Sequence, residues 1–190
     1  MMNSYTRNFK SSGKSICIYS YNSRGFAKEK QDICKLLMST AGSVYPVLCN
    51  QENFLLRGNG YQIKRCLPDS HVIIKEAVKC THDAGRPKNG MFIAVPMEFK
   101  ELVTDVSPNH QRVQAVVLQT KGNNILIINT YFPTDPKAEN FDSSELLTTL
   151  AAIRELLERN AYNSIVWAGD LNADFKRKTT FYKDRRILLG

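Results

Sequence analysis

Several short apolar runs follow one another in this chain with no helical stretch between them, and that constrains its fold more than any other feature. Residues 72–78, 91–95, 112–119 and 125–130 are such runs, rich in Val, Ile and Leu and separated by polar or turn-forming residues. Parallel neighbours would need long crossovers, so sheets made from these runs are expected to be mixed or antiparallel. Residues 15–21 (SICIYSY), 44–49 (VYPVLC) and 164–168 (SIVWA) read as three further strands. Gly122-Asn123-Asn124 signals a hairpin between the runs at 112–119 and 125–130.

Two stretches carry helical periodicity. In residues 27–40, Ile33, Leu36 and Leu37 fall at i, i+3 and i+4, and Gly42 ends the run. In residues 143–159, Leu146, Leu147, Leu150, Ile153, Leu156 and Leu157 form an apolar face, and Asp142 with Glu145 resembles a capping box. Residues 50–70 read as loop with one short helix. The expected architecture is α/β: two mostly antiparallel or mixed sheets packed as a sandwich with helices outside, four layers in the order α/β/β/α.

The chain has 190 residues, room for one domain. No apolar run approaches the roughly 20 residues of a membrane-spanning helix. Residues 1–14 are polar and lack the apolar centre of a secretion signal, which predicts an intracellular protein with a polar N-terminal tail. Five cysteines, Cys17, Cys34, Cys49, Cys66 and Cys80, contain no CxxC pair and suit free thiols, the first three as core residues. Cys66, His71, Cys80 and His82 match no standard zinc spacing.

The net charge of +8 is uneven. Residues 1–30 carry six Lys/Arg against Glu29, and residues 175–190 carry six against Asp184, so the rest nets −2. Basic ends on a near-neutral body suit a polyanion partner or, more plainly, solvated tails.

Four segments place polar groups at the end of an apolar run, where functional groups collect once the chain leaves the core. They are Asn22-Ser23-Arg24-Gly25, Asn50-Gln51-Glu52, Asn129-Thr130-Tyr131-Phe132-Pro133 and Gly169-Asp170-Leu171-Asn172-Ala173-Asp174. Singly, each reads as a turn, a helix start or an edge aromatic.

Together and in this order they resemble the exonuclease–endonuclease–phosphatase superfamily of apurinic endonucleases and deoxyribonuclease I. The resemblance is closer to the endonuclease domains of non-LTR (LINE-type) retrotransposons. It rests on Ser20-Tyr21-Asn22-Ser23-Arg24-Gly25-Phe26, Gln51-Glu52, Arg86-Pro87-Lys88-Asn89-Gly90, Arg112, Tyr131-Phe132-Pro133 and Gly169 to Phe175. It runs from about Ile16 to the last residue and implies a domain over residues 15–190.

What the resemblance implies is Mg²⁺- or Mn²⁺-dependent phosphodiester hydrolysis. The protein would be a nuclear DNA-nicking endonuclease, fused to or derived from a reverse-transcriptase polyprotein, that leaves a 3′-hydroxyl primer. Glu52 would be the metal ligand, with Asn22 a second ligand or an orienting amide. Asp170 would position or deprotonate the attacking water. Asn172 and Tyr131 would contact the phosphate, Arg112 would support the site or bind backbone phosphate, and Arg24 would bind substrate. Such chemistry needs a nucleophilic water, a cation against the phosphate charge and stabilisation of the leaving oxygen.

The family's pattern continues with a later Asp and a Ser-Asp-His segment. Here His71, His82 and His110 all precede Asp170. The expectation is therefore an incomplete domain lacking its last strands, with residues 181–189 the start of a helix. Two alternatives follow: a catalytically inactive remnant that binds nucleic acid, and a phosphatase of the same fold acting on a small phosphoester.

Overall fold

The computed structural model describes residues 2–11, 14–39, 44–79, 85, 87–120, 122–133 and 144–172. The capping-box Asp142, Arg86, Cys80, His82, residues 173–174 of the last motif, the basic stretch 175–190 and the helix start expected at 181–189 lie outside them.

Among the described residues, nine strands form two sheets. The first sheet contains β1 (Met2–Ser11), β2 (Lys14–Asn22), β3 (Val44–Gln51), β4 (Ser70–Val78) and β5 (Lys88–Pro96), in the order β1-β2-β3-β5-β4. The second contains β6 (Val103–Asp105), β7 (Val113–Thr120), β8 (Asn123–Tyr131) and β9 (Ser164–Asp170), in that order. Each sheet has one parallel pair. β2 and β3 are joined through α1 (Lys28–Met38), and β8 and β9 through α3 (Ser144–Arg159); the other pairs are antiparallel. A short helix, α2 (Tyr61–Cys66), lies between β3 and β4. The mixed sheets and the α/β/β/α layering are those expected from the sequence.

Successive strand side chains point to opposite faces, and both faces are covered, which is why the runs read as continuously apolar. Val47, Cys49, Ile93 and Val95 face Val116, Leu118, Ile125 and Ile127 between the sheets. Their neighbours Leu48, Phe92 and Ala94 turn outward onto Cys34 and Leu37 of α1 and Ile63 of α2. On the far side Ala115, Val117, Leu126 and Ile128 meet Leu146, Ile153 and Leu156 of α3. The hairpin pairs Thr120 with Asn123, and Gly122 takes φ +82°.

Several expectations are corrected. Met2–Ser11, read as a polar tail, pairs antiparallel with β2 from Met2↔Tyr21 to Ser11↔Lys14. A polar composition marks an edge strand as readily as a tail, because an edge is kept from aggregating by polar residues. Leu36 is 68% exposed and Leu147 60%; Cys34 and Leu37, and Leu146, Thr149 and Ala152, fill those helix faces instead. A 3₁₀ turn at Met97–Leu102 and β6 were not anticipated. Arg112, expected to open a strand, stands immediately before β7. Cys17, Cys34, Cys49 and Cys66 are buried. Among the described residues, no helix is long and apolar enough to cross a membrane, and no three His, Cys, Asp or Glu group as a metal cluster would.

Candidate active site

The register brings four strand ends to one end of the sandwich. Asn22 pairs with Gln51 at the ends of β2 and β3, and Tyr131 pairs with Asp170 at the ends of β8 and β9. Asn22 Nδ2 donates to Glu52 Oε2 at 2.7 Å within its own sheet and to Asp170 Oδ2 at 2.8 Å across the sheets. One amide therefore spans two carboxylates 118 positions apart in sequence, counting from Glu52 to Asp170. Asn22 Oδ1 faces the other way and accepts from Arg24 N at 3.1 Å. An amide nitrogen offers no lone pair to a metal. Of the two roles the sequence leaves open for Asn22, this geometry serves the orienting one.

The backbone around these groups is held in unusual conformations. Arg24, Glu52 and Asn172 all take positive φ, at 49°, 54° and 45°. Such conformations cost energy in non-glycine residues and persist where surrounding bonds fix them. Those bonds are present. Ser23 N donates to Gln51 O at 3.0 Å, and Gly25 N to Glu52 O at 2.7 Å. Asn172 N donates to Asp170 Oδ1 at 2.9 Å, and Asn172 Nδ2 to Phe132 O at 2.6 Å. Phe132 N closes the ring on Asp170 O at 2.9 Å. The segment after Glu52 is tied to the start of β5 by Asn53 N to Gly90 O and Phe54 N to Asn89 O.

Tyr131 is buried, with Glu52, Asn172 and Arg112 close to its phenol. Burial pushes its phenol up to about 12, and the Glu52 charge adds to this, while Arg112 opposes it. The phenol is therefore a proton-bearing donor throughout the neutral range. Arg112 does not reach into the cluster. Its Nε donates to Glu145 Oε1 at 2.6 Å, its guanidinium carbon stands 5.0 Å from the Tyr131 ring centroid, and one Nη reaches Tyr131 O at 3.4 Å. Arg24 is exposed at the rim.

Asn22, Glu52, Tyr131, Asp170 and Asn172 are thus gathered, with Arg112 behind Tyr131 and Arg24 at the edge. Glu145, Lys75 and the buried Ser20, Gln51 and Asn129 are participants that sequence reasoning missed as such. Ser20, Gln51 and Asn129 lie inside the quoted segments, and Lys75 is visible as a charged residue inside the run VIIKEAV. Its Nζ donates to Pro108 O and His110 O, both at 2.8 Å, tying β4 to the loop that leads to Arg112. His110 accepts from Arg112 N through Nδ1 at 3.3 Å; burial and the nearby Lys75 and Arg112 charges lower its pKa. A cavity of about 600 Å³ bordered by Tyr45, Pro46, Arg65 and Pro68 shares no residue with the cluster.

The donor chemistry fits a hard divalent cation. Glu52 and Asp170 present oxygen donors beside one another, and the guanidinium behind Tyr131 is engaged with Glu145. Mg²⁺ takes one or two carboxylates and completes its shell with water and phosphate oxygens.

No protein-family model and no curated protein sequence matches the chain. Solved structures do. The AP endonuclease LMAP of Leishmania major matches with a TM-score of 0.59 at 18% identity, over 86% of this chain and 58% of that one. An AP endonuclease of Archaeoglobus fulgidus matches at 0.56 and 18%, over 82% and 57%. The endonuclease domain of TRAS1, a telomere-specific non-LTR retrotransposon, matches at 0.59 and 15%, over 91% and 70%. The chain spans less than two thirds of either AP endonuclease. These likenesses, at 15–18% identity, show that the chain has the fold of these AP endonucleases and of the TRAS1 endonuclease domain.

Proposed function

We propose that this chain is a divalent-cation-dependent DNA endonuclease domain of retrotransposon type, which nicks a strand and leaves a 3′-hydroxyl. The observation that carries this reading is the single amide of Asn22 spanning Glu52 and Asp170, with Tyr131 and Asn172 alongside. The TRAS1 domain, matched over 91% of this chain, supports the retrotransposon context.

Each residue has a role its position allows. Glu52 would hold Mg²⁺ or Mn²⁺, and a bound cation would offset charge on the phosphate. Asp170, fixed by Asn22 and by Asn172 N, would orient a water and accept its proton. Tyr131 would donate to a phosphate oxygen, since its phenol keeps its proton. Asn172 would present its amide to the same phosphate. Arg112 would steady Tyr131 from behind, and Arg24 would meet the DNA backbone at the rim.

The test is relaxation of supercoiled plasmid with Mg²⁺, with and without EDTA, beside phosphate release from an inositol phosphate. Nicked circles that vanish with EDTA are expected. Release of inorganic phosphate without nicking would move the assignment to a small-phosphoester phosphatase. Neither activity would leave the nucleic-acid-binding remnant.

A further inference from the structure

Gln51 and Gly169 each stand one residue before a carboxylate, Glu52 on the first sheet and Asp170 on the second. Both reach the hydroxyl of Ser20 on β2. Gly169 N donates to Ser20 Oγ at 3.0 Å, and Gln51 Nε2 donates to it at 3.2 Å. The Gln51 amide has two hydrogens, and its shorter contacts go to Asn129 Oδ1 at 2.7 Å and Cys49 O at 2.9 Å. The bond from Gly169 is thus the firmer hold on Ser20. Asn129 on β8 returns a bond to β3, from Nδ2 to Asn50 O at 3.0 Å.

These groups are inside the sandwich: Ser20 is 6% exposed, and Gln51 and Asn129 are fully buried. Much of the remaining contact between the sheets is made by Ile, Val and Leu, whose packing is non-directional. Hydrogen bonds have preferred lengths and angles, so this polar layer fixes a spacing that apolar packing leaves free. Ser20 and Asn22 are two residues apart on one strand and share a face. The strand that carries the spanning amide also carries the hydroxyl that grips β9.

We propose that Ser20 is a positioning residue: by holding Gly169 N it sets Asp170 against Glu52, so that Asn22 Nδ2 reaches both. The catalytic consequence rests on the endonuclease reading, and the geometric one does not.

Nitrogen-15 spectra of the whole chain separate the two. In the wild type the Asn22 side-chain protons, each bonded to a carboxylate, resonate away from free amides. Ser20→Ala is expected to move them toward free-amide positions and to lower the nicking kcat by about 10–100-fold with KM for DNA within about twofold. Ser20→Thr, which keeps an oxygen, is expected to restore both. Unmoved Asn22 resonances in Ser20→Ala overturn the proposal at any level of activity, as do moved resonances with unchanged kcat. Moved resonances in a chain whose wild type nicks no DNA keep the positioning role and overturn the endonuclease reading alone. Hydrogen exchange at Gly169 N in the wild type needs no variant: protection like that of the β8–β9 ladder is expected, and exchange at a free-loop rate overturns the proposal.

Discussion

Arg112 and Glu145 form a 2.6 Å ion pair between the residue that precedes β7 and the first turn of α3, and the Arg112 side chain is only 13% exposed. The pair fixes the guanidinium 5.0 Å from the Tyr131 ring. This favours the first of the two roles expected of Arg112, support of the site over binding of backbone phosphate, and under the proposed function it would steady Tyr131. A lysine keeps the charge but not the planar fork that serves Glu145 and Tyr131 O together. Arg112→Lys is expected to lower kcat for nicking about tenfold with KM for DNA changed less than twofold. A rise in KM at constant kcat would return Arg112 to a phosphate-binding role.

The phenol of Tyr131 should be visible in alkaline titration. Its folded pKa, about 12, lies above the ordinary 10.0, raised first by burial and then by Glu52. The folded state therefore holds this proton more tightly than the unfolded chain. The associated stability is fully present below pH 10 and is lost as pH rises from about 10 to about 12. Tyr131→Phe is expected to flatten that part of the melting-temperature profile. Absorbance at phenolate wavelengths should show no loss of signal at pH 10 when Tyr131 is replaced, because Tyr131 is still protonated there.

Lys75 ties the sheets at the edge of the site. Removing its ammonium in Lys75→Met leaves Pro108 O and His110 O without their donor. These carbonyls are partly buried, so the cost is expected at the low end of the range for a stranded buried group, about 1 kcal/mol. Urea unfolding should show a loss of that size, and amide exchange should rise in residues 106–112 before it rises in β7.

Gly169 should tolerate no side chain. It takes φ +136°, and a Cβ there would stand 2.0 Å from Thr130 O and 2.7 Å from Thr130 N. Those are backbone atoms of the neighbouring strand, so nothing flexible can give way. Gly169→Ala is expected to cost more than about 4 kcal/mol in denaturant unfolding. Gly122→Ala, at φ +82° with open space around it, should cost only about 1 kcal/mol.

The strand-end residues were legible because their polar side chains interrupt apolar runs. That pattern exposes the four segments before any coordinates are known, and the resemblance picks out Asn22, Glu52, Tyr131, Asp170 and Asn172 within them. The layers were legible for the same reason, since strands buried on both faces have no polar alternation. Leu36 and Leu147 misled because residues at i, i+3 and i+4 fill a stripe wider than the face a sheet covers. β1 was hidden by its polar composition, which an edge strand shares with a tail. The Arg112–Glu145 pair and the hold of Ser20 on Gly169 were not legible at all: their partners lie 33 and 149 residues apart, and no local periodicity encodes such contacts.

The central claim is that the carboxylates gathered by Asn22 carry out phosphodiester hydrolysis. Asp170→Asn keeps the shape of the side chain and removes its capacity to take a proton, and Glu52→Ala removes the proposed cation ligand. The most direct measurement is the single-turnover nicking rate of supercoiled plasmid with Mg²⁺ for the wild type and these two variants, each shown to be folded by its melting transition. The account predicts that the wild type nicks and that each variant is slower by about 10²–10⁴-fold. Equal rates in all three proteins would contradict it.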